Sequence, residues 1–140
     1  MTSQKEELTT DTSSLLILGS GSSARRELLR SAGLNPDKIE RPNVDESPEP
    51  NESPRHYVMR VARLKASSIP SDKRSYLITA DTTVTVGKRS LLKTSDEIKA
   101  EEYLRLLSGR RHAVFTAFCV KHNDLIILKL VKTVLKMRIL

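Results

Sequence analysis

Residues 15–29, LLILGSGSSARRELL, constrain the fold more than any other part of the chain. Four apolar residues end at a glycine, a cluster of hydroxyl side chains follows, and a charged amphipathic stretch begins. That order predicts a short buried strand over Leu15 to Leu18, a tight turn, and a helix through Ala32 that Gly33 stops. Ser22 or Ser23 is placed to cap the helix by accepting from its first free N–H groups. Whatever the chain folds into must hold a strand, turn and helix at this point.

The residues Gly19, Gly21 and Ala24 fit the G-x-G-x-x-G/A pattern of dinucleotide-binding turns. That pattern also needs a second strand after the helix, ending in an acid about 20 residues on to hold the ribose hydroxyls. Here the place is taken by DKIERPNVDES, which is polar and broken by proline. The dinucleotide reading therefore fails on context, and the glycines are expected only to allow the turn. Arg25 and Arg26 need their own explanation, because cations in a first helical turn oppose the macrodipole and the uncapped N–H groups. Two readings remain from this stretch: an oxyanion bound at the helix start by backbone N–H groups, Ser20, Ser22 and an arginine, or solvated arginines with serines that are merely caps.

The rest of the 140 residues bounds the partners. One domain is the natural prior at this length, and only 38% of the residues are apolar and 4% aromatic, so the core rests on Leu, Ile, Val and Ala. The formal charge of +7 predicts attraction to polyanions without naming one. The single cysteine, Cys119, excludes an internal disulfide, and the polar start lacks the apolar segment of a signal peptide. No apolar run approaches the roughly 18 residues of a membrane span. The chain reads as soluble, reduced and cytoplasmic, with residues 1–14 a disordered leader.

Farther along, the proline-broken loop predicts at most a brief strand near Lys38 to Arg41. A helix follows Ser53-Pro54 and ends at Pro70, with Tyr57, Val58, Val61, Ala62, Leu64, Lys65 and Ile69 as its buried stripe. SYLITADTTVTVG predicts strand interrupted at Asp81, then a turn at Gly87-Lys88 and a short strand over SLL. Asp96 caps a helix to Leu107 with Ile98, Tyr103, Leu106 and Leu107 on its apolar side. HAVFTAFCV is β-rich, and KHND turns into a last segment whose period of two favours a strand. Lys129, Lys132 and Lys136 also fall at helical spacing, which leaves a basic amphipathic membrane helix as the weaker reading.

Among residues with chemistry, Asp81 stands out, since Asp is disfavoured in strands and a buried carboxylate without a partner is costly. It sits at a bulge or strand end facing solvent, or it is paired with a cation or metal; Thr82 adds a hydroxyl beside it. Asp45-Glu46 are loop acids that could supply a second carboxylate. Lys65 lies near the apolar stripe of its helix, and Lys93 follows a strand-like segment. The histidines at 56, 112 and 122 are scattered and give no zinc spacing. There is no Walker lysine motif, no nucleophile elbow, and no interleaving of aromatic and basic residues that would mark a stable nucleic-acid partner.

Taken in order, LILGSGSSARRELL, VDESP, VMRVARLKA, ITADTTV, LLKTSDE and LSGRRHAVFTAF resemble the Maf family of nucleoside triphosphate pyrophosphatases, also called septum-formation inhibitors, from Leu16 to the chain end. The family's Ser-x-Ser-Pro segment falls on Ser20 to Ser23, with Ser in place of Pro and Ala24 where many members carry a further arginine. Its helix lysine falls on Lys65, its Ala-Asp-Thr motif on Ala80 to Thr82, and its Gly-Lys-Pro lysine on Lys93, between Leu92 and Thr94. Ser108 to His112 match its Ser-Gly-x-x-His segment, and Ala117 replaces a usual glycine.

The resemblance implies an α/β fold, a mixed β-sheet with flanking helices around a central cleft, and a homodimer. It implies hydrolysis of a nucleoside triphosphate between its α and β phosphates with Mg²⁺ or Mn²⁺, releasing the monophosphate and pyrophosphate, in clearance of non-standard nucleotides or arrest of division. Asp81 would be the base or water-orienting group. Glu46 and Asp81 would hold the metal, and Ser20, Ser22, Arg25, Lys65, Thr82 and Lys93 would bind substrate. Family members continue beyond the strand matched by VKTVLKMRIL into a segment with an Asp-Lys-Ala-Gly motif and a nucleotide-contacting Gln. Residues 15–140 are thus expected to form one domain that lacks this segment and exposes apolar surface in its place. The rival expectation is an inactive relative that only binds nucleotides or other polyanions.

Overall fold

The computed structural model describes residues 14–140, so the leader expected over residues 1–14 lies, but for Ser14, outside the described residues. The elements run β1 (Leu15–Leu18), α1 (Ser23–Ser31), β2 (Lys38–Ile39), α2 (Pro54–Ser68), β3 (Ser75–Val86), β4 (Arg89–Leu91), α3 (Glu97–Leu107), β5 (Arg111–His122) and β6 (Leu125–Lys136). Six strands form one mixed sheet in the order β2-β1-β3-β5-β6, with β4 paired to β3. β1 is parallel to both β2 and β3, whereas β3, β5 and β6 are antiparallel neighbours. The chain is therefore an α/β domain, as expected.

α2 organises the core. Ser53 caps it by accepting from His56 N–H, Pro54 stands in the first turn, and Pro70 forces Ile69 into extended backbone at its end. Val58, Val61, Ala62 and Ala66 are fully buried. Burying a valine side chain in this way is worth about 1.5–3 kcal/mol. Val58, Ala62 and Ala66, with Ile17 and Ile69, pack on Leu77, Phe115, Ala117 and Cys119 of the sheet. Two polar ties lock helix to sheet: Thr79 Oγ1 donates to Ala62 O at 2.7 Å, and Lys121 Nζ donates to Ala66 O and Ile69 O, both at 3.1 Å. The opposite sheet face leaves Tyr76, Leu125, Ile127, Val131 and Leu135 exposed.

Several expectations are corrected. β3 passes through Asp81 without interruption, because α2 brings a cation to the carboxylate and the cross-strand neighbour is the small Ala117. α3 forms where expected but buries no residue, and Ile98 on its supposed apolar side is 72% exposed. The last segment is the edge strand β6, as its period of two favoured, since β5 pairs with it along its whole length, and the weaker helical reading falls away. The turn glycines Gly19 and Gly21 do not have positive φ. They are needed for close approach: a Cβ on Gly19 would stand 2.7 Å from Thr79 Cγ2 and 2.8 Å from Ile69 Cδ1.

Candidate active site

The turn after β1 supplies the first wall of a cleft. Ser22 caps α1, its hydroxyl accepting from Arg25 N–H at 3.3 Å. Ser20, nearly buried, accepts from Ser22 N–H and from Arg25 Nη1, both at 3.1 Å. The two arginines therefore part company: Arg25 folds back into the cleft, and Arg26 stays exposed. Both serines are caps or turn locks here, and each keeps a hydroxyl hydrogen to offer a ligand.

Lys65 is the centre of the site. It projects from the buried face of α2, where its Nζ donates to Ala80 O at 3.0 Å and to Asp81 Oδ1 at 3.3 Å, and pairs with Glu46 Oε1 at 2.8 Å. Glu46 and Asp81 thus flank one ammonium group. Asp45, the other loop acid, is spent locally: its Oδ1 accepts from Ser47 N–H at 2.9 Å, and the Ser47 hydroxyl, followed by that N–H, holds its carboxyl below the ordinary range. Asp81 is only 13% exposed, and its Oδ2 is buried without a hydrogen-bond partner among the described residues. Burial raises its pKa, and the Glu46 carboxylate adds to the rise; Lys65, then Arg25, pull the other way.

Two adjoining hollows form the cleft, one of ≈ 190 Å³ beside Asp81 and Tyr57, the other of ≈ 320 Å³ beside Ser20 and Ser22. Arg25, Glu46, Lys65 and Lys93 line both. Thr82 rims the first hollow, but its hydroxyl is shared with Thr116 Oγ1 at 3.0 Å, on the sheet face away from Asp81. A larger hollow of ≈ 530 Å³ lies along α2 beside Met59, Leu64 and Leu128, but its Arg60 and His56 are already held by Glu52.

Three contributors escaped the sequence reading. Tyr57 OH donates to Glu46 O at 2.7 Å and fixes the acid loop; burial, followed by the Asp81 and Glu46 charges, raises its pKa. Its spacing from Lys65, two helical turns along one face, was the available signal. Arg60 Nη2 donates to Ser47 O at 3.0 Å and pins the same loop from the next residue. Arg41 lines the second hollow, and nothing in its proline-broken surroundings marked it.

The fold and the cleft define an α/β domain whose strand-turn-helix start and lysine-centred carboxylates face one polar, cation-rimmed hollow. A family model described as Maf-like protein matches residues 15–140, and the chain belongs to that family. It is 44% identical over 122 residues to the dTTP/UTP pyrophosphatase of Ruegeria sp. (strain TM1040), covering 87% of this chain and 63% of that protein. To the dTTP/UTP pyrophosphatase of Roseobacter denitrificans it is 42% identical over 124 residues, covering 89% and 66%. To the nucleoside triphosphate pyrophosphatase of Anaplasma marginale it is 45% identical over 109 residues, covering 76% and 55%. The chain thus spans less than two thirds of the length of each of these relatives. Among the described residues, no helix is long and apolar enough to cross a membrane.

Proposed function

We propose that this chain carries the catalytic cleft of a nucleoside triphosphate pyrophosphatase, with dTTP and UTP, the substrates in its relatives' names, as the first candidates. The observation that carries the reading is the buried, unpartnered Oδ2 of Asp81 beside Lys65. A carboxylate kept partly desolvated, with one oxygen unspent, is suited to accept a proton from water. Asp81 would take that proton as the water oxygen attacks phosphorus. The α–β bridging P–O bond then breaks, and its electron pair leaves with pyrophosphate. Arg25, Lys65 and Lys93 would offset the charge that accumulates, while Ser20 and Ser22 donate to phosphate oxygens.

The donor set fits a divalent cation of the Mg²⁺ or Mn²⁺ kind. The carboxylates of Glu46 and Asp81 lie together at Lys65, and such ions complete their shell from substrate phosphates and water. No group of three or more potential ligands is found among the described residues, so a cage made of protein alone is not the expected arrangement. Bound there, the ion would polarise the phosphoryl group. A homodimer, cytoplasmic location and absence of a stable nucleic-acid partner complete the proposal.

The test is pyrophosphate release from a panel of nucleoside triphosphates with Mg²⁺ or Mn²⁺, with Asp81→Asn as control. Turnover that the substitution abolishes supports the reading. Absent turnover, or turnover undiminished in the variant, sinks it, and binding without turnover would leave a nucleotide-binding module instead.

A further inference from the structure

Arg41 leaves the short edge strand β2 directly beside the β1–α1 turn. Glu40 N–H donates to Leu18 O at 2.9 Å, so pairing with β1 continues one residue past β2, and Glu40 is bound to Lys38 at 2.6 Å. Arg41 therefore starts from a fixed backbone with its acidic neighbour already engaged. Its side chain then runs across Gly21: a Cβ placed on that glycine would meet Arg41 Nε at 2.9 Å, Cδ at 3.2 Å and Cγ at 3.3 Å. Real Cβ atoms do not sit as close as the first of these, the other two are tight, and Gly21 has no positive φ to explain the glycine otherwise. The groove over Gly21 is what gives the arginine its route.

That route ends in the ≈ 320 Å³ hollow with Ser20, Ser22, Arg25 and Lys65. Arg25 has one guanidinium nitrogen committed to Ser20, and Lys65 has its ammonium committed to Ala80, Asp81 and Glu46. Among the described residues, Arg41 has no hydrogen-bond or ion-pair partner. We propose that Arg41 is a substrate-binding residue of this cleft that takes phosphate oxygens of the triphosphate in a bidentate grip, and that Gly21 is side-chain-free so that it can. The proposal rests on the reading of the cleft as a triphosphate site. Chemically it assigns the fork-shaped, uncommitted donor to the substrate, where Arg25 serves partly to hold the turn.

Calorimetric titration with inorganic tripolyphosphate tests it without relying on turnover. Arg41→Ala is expected to weaken binding about tenfold, the loss of charge-assisted hydrogen bonds, with Arg41→Lys between it and wild type. Arg26→Ala, which removes an equal charge from an exposed site one residue beyond Arg25, is expected to stay within about twofold. Gly21→Ala should weaken binding as Arg41→Ala does, and the double variant should be no worse than either. Equal affinities for Arg41→Ala and Arg26→Ala in a wild type that binds overturn this inference alone. A wild-type chain that binds no tripolyphosphate overturns the triphosphate site itself. Thermal melts of Arg41→Ala, a change at an exposed residue, exclude unfolding as the cause.

Discussion

α2 builds two ion clusters from similar parts, and they have opposite characters. Near its start, Glu52 is 2% exposed and receives Arg60 Nε at 2.6 Å, Arg60 Nη2 at 2.9 Å and, at the same distance, His56 Nδ1. The Arg60 hydrogen bonds hold its pKa down to about 2. Nearer the helix end, Asp81 receives Lys65 on one oxygen at 3.3 Å and nothing on the other, and burial raises its pKa. A carboxylate with every acceptor used is a clamp. One with a buried oxygen that no protein group partners costs stability, and carboxylates perturbed in this way cluster at functional sites.

The largest expected effect breaks the pair on the open side. Asp81→Asn is expected to lower pyrophosphate release by about a thousandfold, as removal of a general base does, while the thermal midpoint stays at or above that of wild type. The sign follows from linkage. The fold favours the protonated form of Asp81, so that contribution to stability is present below the ordinary value of 3.8 and is lost as pH rises through the raised folded value. A variant that melts well below wild type would make Asp81 a structural residue like Glu52.

Lys65→Met comes next, with turnover down about a hundredfold. It also removes the first cause that lowers the Asp81 pKa, so the acid limb of the pH–rate profile moves to higher pH. A limb that stays in place would mean that some other group titrates there.

On the closed side the readout changes from rate to stability. Glu52→Gln is expected to lower the thermal midpoint near neutral pH with kcat almost unchanged. Glu52 has its folded value depressed, so its contribution is present above about 4.5 and is lost as pH falls toward about 2. The variant should therefore show a flatter acid arm in urea unfolding across that window. An unaltered arm would show that another acid controls it.

Legibility in the sequence followed the same division. Caps and breakers are local, so Ser22, Ser53-Pro54, Asp96 and Gly33 marked the helices within a residue or so. Ser20, Arg25, Lys65, Asp81 and Lys93 were singled out by residue type, and folding brought them to one cleft. What failed was long-range. Asp81 read as a strand breaker because its counter-ion lies 16 residues upstream on a helix, and no local pattern carries that pairing. The exposed Ile98 of α3 looked like core because periodicity reports an apolar side without saying whether anything covers it. Arg41 was hidden because its role depends on an empty position at Gly21, 20 residues earlier.

The smallest predicted effect asks whether the two clusters are independent. The loop between them is tied to α2 twice, by Tyr57 OH on Glu46 O and by Arg60 Nη2 on Ser47 O, and Glu52 orients that arginine. Glu46 reaches Lys65 from this loop, so the closed cluster supports the open one through a single stretch of backbone. Tyr57→Phe is expected to raise KM about threefold with kcat unchanged, the loss of one neutral hydrogen bond that positions Glu46. Because either tie can still hold the loop when the other is cut, the Tyr57→Phe, Glu52→Gln double variant should lose more than the product of the single effects. Steady-state kinetics on the four proteins measures that coupling. Strictly multiplicative effects on KM would show that the clamp and the site share a helix and nothing more.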